Sequence, residues 1–476
     1  MSAKKQIFSS ALFANKWSYK KAVFLMILAI QSCFLNSCDS FVEVDLPNSQ
    51  LTSPSVFEEK ATANAVMVDI YNKIRDNGLL TGTSSGISNQ LGNYADDLRC
   101  YGSTGSISID FYNNALVASN SNISGVWNSS YNQIYCANSV LEGVKNAVEL
   151  PAQDKQQLTG EALFVRGLIH LYLMNLFGDI PYITTTDYKQ NSIVKKLSQS
   201  EVYVLIKTDL EQAIALLPDN YSSAERVRPN KYAAIALLAR VDLYSGSWQE
   251  ATENASKVIN NAELYQWTDL DKVFLKGSTT TIWQLMPAIN GKNTNEGETF
   301  IFTAGPPPLT ALSPELMNAF SAGDLRKILW TKAVTNGTDT WYHAYKYKEF
   351  ENTGTSREYS IVLRLAEQYL IRAEAKAHLN DVSGAIEDLN IIRNQAGLAD
   401  TTATTADELL EAILQERRLE FFTEFGHRFF DLKRTNKLDS TLSGVKLGWD
   451  SKDRLWPIPA TELLVNPNLQ PQNSGY

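Results

Sequence analysis

Residues 238–259 read LARVDLYSGSWQEATENASKVI, and residues 372–393 read RAEAKAHLNDVSGAIEDLNIIR. The two stretches share one register at an offset of 134 residues. Ala239 and Ala251 stand twelve apart and are followed by Ala255 and Val258. Ala373 and Ala385 stand twelve apart and are followed by Leu389 and Ile392. Apolar residues recur at helical spacing on both sides of a short polar turn, which predicts two helices in each stretch. Small residues at matched positions let two antiparallel helices approach closely. The turns Ser245-Gly246-Ser247 and Asn380-Asp381-Val382 force the hairpin.

Each unit resembles the helix–turn–helix of tetratricopeptide repeats. About a hundred residues separate the two, so the expected fold is mostly α: a tetratricopeptide-like hairpin scaffold, an interrupted α-solenoid with long irregular insertions. The same periodicity predicts helices over 140–148, 160–177, 201–217, 231–244, 248–259, 361–379, 383–395 and 406–425. The segment GEALFVRGLIHLYLMNLF, 160–177, is apolar nearly all round and reads as a deeply buried helix, stopped by Gly178-Asp179-Ile180-Pro181. Two stretches lack sustained periodicity. Residues 81–125 are rich in Ser, Gly and Asn, with Tyr94, Tyr101, Phe111 and Tyr112 scattered through them. Residues 266–360 carry Trp267, Trp283, Trp330, Trp341, Tyr342, Tyr345 and Tyr347. Irregular loops of such length are uncommon in a compact domain unless they are functional.

Composition narrows the function. The 476 residues are 44% hydrophobic and 20% charged, an ordinary globular balance. Lys and Arg number 43 against 52 acids, so no basic surplus invites nucleic acid. Four His without ligand spacing, and no HExxH, CxxC or EF-hand loop, leave no expected metal and no expected cofactor. The N-terminus reads as an address. Lys4, Lys5, Lys16, Lys20 and Lys21 precede the apolar run 22–30, which is too short to span a bilayer and fits a signal-peptide core. Leu35-Asn36-Ser37-Cys38 follows and resembles a bacterial lipoprotein box. Residues 1–37 are therefore expected to be cleaved, and Cys38 to carry the acyl chains that anchor the protein to outer-membrane lipid. Cys100 and Cys136 remain, either paired in an oxidising compartment or as two thiols.

The motifs, taken in order, resemble the SusD/RagB family of outer-membrane nutrient-binding lipoproteins. They run from Phe57, Ala61, Ala65 and Tyr71 to Trp127-Asn128-Ser129-Ser130-Tyr131, then Gly160-Glu161-Ala162 through Arg166, and Phe177-Gly178-Asp179-Ile180-Pro181. Arg228-Pro229-Asn230-Lys231, Gly323-Asp324-Leu325-Arg326, Arg364-Leu365-Ala366-Glu367 and Asn390-Ile391-Ile392-Arg393 follow. Glu416-Arg417-Arg418-Leu419-Glu420, Gly426-His427-Arg428-Phe429-Phe430-Asp431 and Leu455-Trp456-Pro457-Ile458-Pro459 complete the series, which ends at Tyr476. The chain departs from the pattern at Phe425, where a Glu usually precedes Gly426, and at Gln395, where many members have Arg. The resemblance implies a single domain over 38–476, with four tetratricopeptide-like hairpins and ligand loops near 81–125 and 266–360. It also implies a place at the cell surface as the lid of a SusC-like, TonB-dependent outer-membrane transporter, and capture of an oligosaccharide or, in some branches, a peptide.

Candidate residues are weighed by their chemistry. A sugar ring offers an apolar C–H face to Trp or Tyr and hydroxyls to Asp, Asn and Arg. Tyr94, Asp96, Asp97, Arg99 and Tyr101 present both kinds within a few residues, and Trp341, Tyr342 and Tyr345 form a second ring cluster. These eight are the expected ligand contacts; the competing reading is that the rings pin loops onto helices. Glu416, Glu420 and Glu424 share one helix face, where glycosidase carboxylates cannot flank a bond from opposite sides. They read as interlocking Glu–Arg pairs at a helix junction. Arg166 and Asp179 read as a buried pair at a helix end, and His170 and His378 as satisfied helix histidines. A surface glycosidase would have to rely on Asp96, Asp97 and Asp324, so no catalytic residue is expected.

Overall fold

The computed structural model describes residues 56–476; the expected signal segment 1–37 and the expected acylation site Cys38 lie outside the described residues. Eleven longer helices are described: α1 (Lys60–Asp76), α2 (Ile87–Tyr94), α3 (Ser121–Asn146), α4 (Ala152–Phe177), α5 (Gln199–Leu216), α6 (Lys231–Tyr244), α7 (Trp248–Ile259), α8 (Leu365–His378), α9 (Val382–Gln395), α10 (Ala406–Phe421) and α11 (His427–Arg434). Six short strands are β1 (Leu98–Cys100), β2 (Thr281–Leu285), β3 (Thr310–Leu312), β4 (Thr331–Asn336), β5 (Asp339–Ala344) and β6 (Ser360–Arg364), paired antiparallel as β1–β3, β2–β6 and β4–β5.

The repeat explains how the helices stack. Each packs on the next in chain order from α3 through α9, and α10 returns onto α8 and α9. The solenoid is interrupted in sequence and continuous in space: α7 packs directly on α8 although the long insertion separates them. Ala239, Ala251 and Ala255 share one buried cluster with Ile371 and Ala375, so small side chains permit the close approach. Ala373, Ala385, Leu389 and Ile392 repeat the arrangement one hairpin on. Within α4 every residue from Gly160 to Phe177 is buried, as its all-round apolarity requires. The C-terminal segment straps its end. Trp456 N–H donates to Leu176 O at 2.8 Å, and Asn473 donates to Phe177 O at 2.8 Å.

Several sequence expectations need correction. The predicted helix over 361–379 begins as strand β6, because Ile361-Val362-Leu363 is a short apolar run that fits a buried strand as well as a helix. The predicted helix over 406–425 stops at Phe421, where Thr423 and Phe425 adopt positive φ. The short helix over 140–148 is the tail of the 26-residue α3. Residues 81–125 and 266–360 are not structureless; they carry α2, all of β1 to β5 and several helical turns. Arg166 pairs with Asp209 at 2.6 Å, while Asp179 accepts from the Gln199 N–H. Of the two states left open for Cys100 and Cys136, the structure has the free thiols.

Buried ion pairs hold the scaffold together. Arg240 on α6 bridges to Glu367 on α8 at 2.6 and 2.7 Å. Glu161 on α4 accepts from Tyr71 at 2.6 Å and from Arg228 at 2.9 Å. The densest set surrounds α10. Glu416 meets Arg326 at 2.6 Å and Arg393 at 3.2 Å. Glu420 meets Arg326 at 3.1 Å and Arg364 at 2.5 Å, and Glu424 meets Arg364 at 2.8 Å and also pairs with Lys346. Arg417 pairs with Asp431 at 2.8 Å. The Glu–Arg junction expected from sequence is therefore present, and it extends to cations from the insertions. Removing one partner strands a buried charge. Arg364→Met should cost about 3–5 kcal/mol in chemical denaturation, and Arg364→Lys should recover only part of it because a point charge cannot bridge both carboxylates. A cost below about 1 kcal/mol would contradict the assignment.

Candidate functional site

The two insertions are stitched to one another. Strand β1 of the first pairs with β3 of the second, with Leu98 opposite Leu312 and Cys100 opposite Thr310. Ser313 N–H donates to Asp97 O at 2.9 Å, and its hydroxyl donates to Asp96 O at 2.6 Å. Tyr101 N–H donates to Leu309 O at 2.7 Å. Strand β3 in turn lies beside β5. Segment 305–312 therefore runs between Arg99 and Tyr101 on one side and Trp341 on the other. The two clusters, more than two hundred residues apart in sequence, are brought to one region.

Within the first cluster the side chains divide sharply. Tyr94 is fully enclosed, edge-on to Phe429 at 5.4 Å and to Trp449 at 6.1 Å, with Phe111 and Trp456 close by. Asp96 accepts two hydrogen bonds from Arg428 at 2.8 Å and pairs with Arg418 at 2.9 Å. Asp97 meets Arg418 at 3.1 Å. Burial works to raise the Asp96 carboxyl, but Arg428 and Arg418 outweigh it and hold the group below its usual range. Burial dominates at Asp97, whose carboxyl is raised. Tyr94, Asp96 and Asp97 thus fasten the base of the first insertion to α10 and α11. Arg99 and Tyr101 lie beyond that base. Tyr101 is 40% exposed, and Arg99 is held loosely by Glu315 at 3.1 Å.

The second cluster is a strand face. Alternation along β5 turns Trp341 and His343 to one side, and Tyr342 and Ala344 to the other. Tyr342 packs partly buried against the core containing Trp330 and Phe422. Tyr345, just past β5, continues the Trp341 face: His343 lies edge-on to Tyr345 at 5.7 Å and tilted against Phe302 at 5.1 Å. Lys332, opposite His343 on β4, places its ammonium 4.9 Å from the Tyr345 ring. Burial lowers the His343 pKa, which favours the neutral ring, and its Nδ1 lies 2.9 Å from Ala344 O. The Trp341 indole lies against Gly305, where a Cβ would stand 2.1 Å from the ring. A side chain there would push the ring off the strand. Trp283 and Trp330 from the same insertion are fully buried core residues.

Sequence reasoning missed Lys332, His343 and the 305–309 segment. Two-residue alternation over 339–345 carries the signal that separates Trp341 and Tyr345 from Tyr342. The remaining hydrolase candidate, Asp324, is fully enclosed with Arg326 at 2.9 Å. Asp96, Asp97 and Asp324 are thus each engaged by arginine. His170 is a satisfied core histidine. Burial first of all lowers its pKa to about 3, its Nδ1 lies 2.8 Å from Arg166 O, and its Nε2 accepts from the Ile183 N–H at 3.2 Å.

Glu296 closes a second seam between the two insertions. Its carboxylate accepts from the Ser360 hydroxyl and fills the space where a side chain at Gly82 would stand, 2.2 Å away. Thr299 donates to Gly82 O at 2.9 Å. Burial pushes the Glu296 carboxyl up to about 7 from an ordinary 4.5, with the Ser360 hydrogen bond opposing it. Between those values the folded chain holds the extra proton, so this contribution to stability is complete below pH 4.5 and lost as pH rises through 7. Glu296→Gln removes the dependence. Relative to the natural chain, the variant should gain up to about 3 kcal/mol between pH 4.5 and 8, read from thermal melts at both ends. A difference that stays constant across that range would contradict the reading.

Comparison with known proteins places these features in a wider set. Residues 45–243 match a family model described as "Starch-binding associating with outer membrane", and residues 330–476 match one described as "SusD family". The chain is 28% identical over 430 residues to "SusD-like protein P2" of Formosa agariphila, covering 75% of this chain and 81% of that one. A SusD superfamily protein from Bacteroides vulgatus superposes with a TM-score of 0.77 at 22% identity, over 88% of this chain and 100% of its own. A solved "Laminarin binding SusD-like protein" superposes with a TM-score of 0.72 at 25% identity, again over 88% of this chain and 100% of its own.

Proposed function

The chain belongs to the SusD/RagB family, and from that premise we propose that it is a non-catalytic, cell-surface protein that captures oligosaccharide. In this reading Cys38 carries the acyl anchor in the outer membrane, and a SusC-like, TonB-dependent transporter receives the cargo. The observation that carries the proposal is the shared surface of the two insertions. The Trp341–Tyr345 face and the exposed Tyr101 ring flank one backbone segment, with Arg99 and Lys332 as hydrogen-bond donors beside them. Flat rings suit the C–H faces of a sugar, and charged N–H donors, a fork at Arg99 and an ammonium at Lys332, suit its hydroxyls. Arg99, Tyr101, Trp341 and Tyr345 are the proposed contacts. Tyr94, Asp96, Asp97 and Tyr342 position them from below. The laminarin-binding neighbour, at 25% identity, supports the same ligand class. Turnover is disfavoured because Asp96, Asp97 and Asp324 are held by arginines, which leaves no pair of facing carboxylates among them.

Tyr101→Ala and Trp341→Ala should each weaken retention on glycan affinity gels severalfold. The melting temperature should move by no more than about 2 °C, because neither ring is a core residue. Unaltered retention in both variants would remove the site assignment. Release of new reducing ends from the bound glycan would instead favour a hydrolase. Extraction in mild detergent should co-purify a large β-barrel protein, and its consistent absence would count against the transporter partnership.

A further inference from the structure

A hollow of about 300 Å³ opens where α3 meets the C-terminal segment, and it shares no residue with the Tyr101–Trp341 surface. Trp127, Tyr131 and Tyr135 line it from one helix face, four residues apart in sequence. The Tyr131 hydroxyl donates to Pro181 O at 2.9 Å, and its ring lies 4.8 Å from that of Trp127, so two walls are fixed. Tyr135 is the open wall, 47% exposed. Two polar side chains meet these rings. Asn128 is exposed, and Glu462 stands near enough to Tyr131 to add to the rise that burial imposes on that hydroxyl. Among the described residues neither the Glu462 carboxylate nor the Asn128 amide has a side-chain partner within the protein. The volume is at the small end of the roughly 300–1,000 Å³ of small-molecule sites. It suits one ring rather than a chain of them.

We propose that this hollow is a second saccharide subsite, which takes one neutral pyranose ring against Tyr135 with its hydroxyls shared between Glu462 and Asn128. A C–H face meets the tyrosine, the carboxylate accepts from two neighbouring hydroxyls, and the amide both donates and accepts. The proposal rests on the saccharide reading above for its ligand class, but on none of the residues that carry that reading. Two separated subsites on one anchored chain would let a long glycan touch twice, which raises retention without a new contact at either place.

Saturation-transfer NMR on the full chain in detergent micelles tests the subsite, with methyl glycosides of glucose, galactose, mannose and xylose as probes. At least one glycoside should show transfer. In a Trp341→Ala background, which removes the first surface, Tyr135→Ala and Glu462→Gln should each reduce that transfer at least fivefold, and every variant should melt as the natural chain does. Transfer that survives both cavity substitutions overturns the proposal. So does an absence of transfer to every glycoside while oligosaccharide is still retained on affinity gels, and in that case the surface reading stands. Transfer to a leucine-containing dipeptide in place of the sugars overturns it in favour of a peptide pocket. Failure to retain any saccharide, long or short, removes both readings together.

Discussion

One helix carries the charges on which the rest of the structure depends. Glu416, Glu420 and Glu424 line one side of α10 and the turn after it, and their cations come from far away in sequence: Arg326 and Lys346 from the second insertion and Arg364 from β6. On the other side Arg418, with Arg428 from α11, grips Asp96 and Asp97 at the base of the first insertion. All of these groups are buried except Arg428, which is half-buried. A buried ion pair adds little to stability over an apolar pair of the same shape, but it tolerates no missing partner. The ladder therefore acts as a specification. It fixes where each insertion leaves the scaffold, and with that the place where the rings of both insertions meet.

The helical frame and the ring-bearing surface follow different packing rules. Alanines at matched positions bring α6, α7 and α8 together across a gap of about a hundred residues in sequence, so the stack continues while the chain departs and returns. The departing chain is built from two-stranded ribbons and short turns, which cannot fold alone. It gains its order from the ladder, from the β1–β3 pairing and from Glu296 at the seam. Rings at its outer edge are then held half-buried. That condition leaves an apolar face open to solvent on a fixed support and limits the entropy lost when a ligand arrives.

Much of the frame was legible in the sequence, because helical period and small-residue spacing are local signals. The bounds of α6 and α7 follow from them directly. The Glu–Arg junction was legible as a pattern, although its partners were not. Arg326 lies ninety residues or more from Glu416 and Glu420, and no local rule joins them. The same blindness affected the site. Tyr94 and Tyr101 look alike in a Ser/Gly-rich stretch, yet one is enclosed by four rings and the other is open. Asp96 and Asp97 look like hydroxyl acceptors until Arg418 and Arg428, more than three hundred residues on, consume them. Period tells which residues are apolar; it does not tell what covers them.

The central claim is that saccharide is held where the two insertions join. Hydrogen exchange of the full chain, with and without a bound oligosaccharide, tests it most directly, because the β1–β3 and β4–β5 ribbons expose backbone amides that a ligand would cover. The account expects slowed exchange in residues 99–102, 303–312 and 339–345. Saccharide bound at saturation with unchanged exchange in all three segments would contradict it.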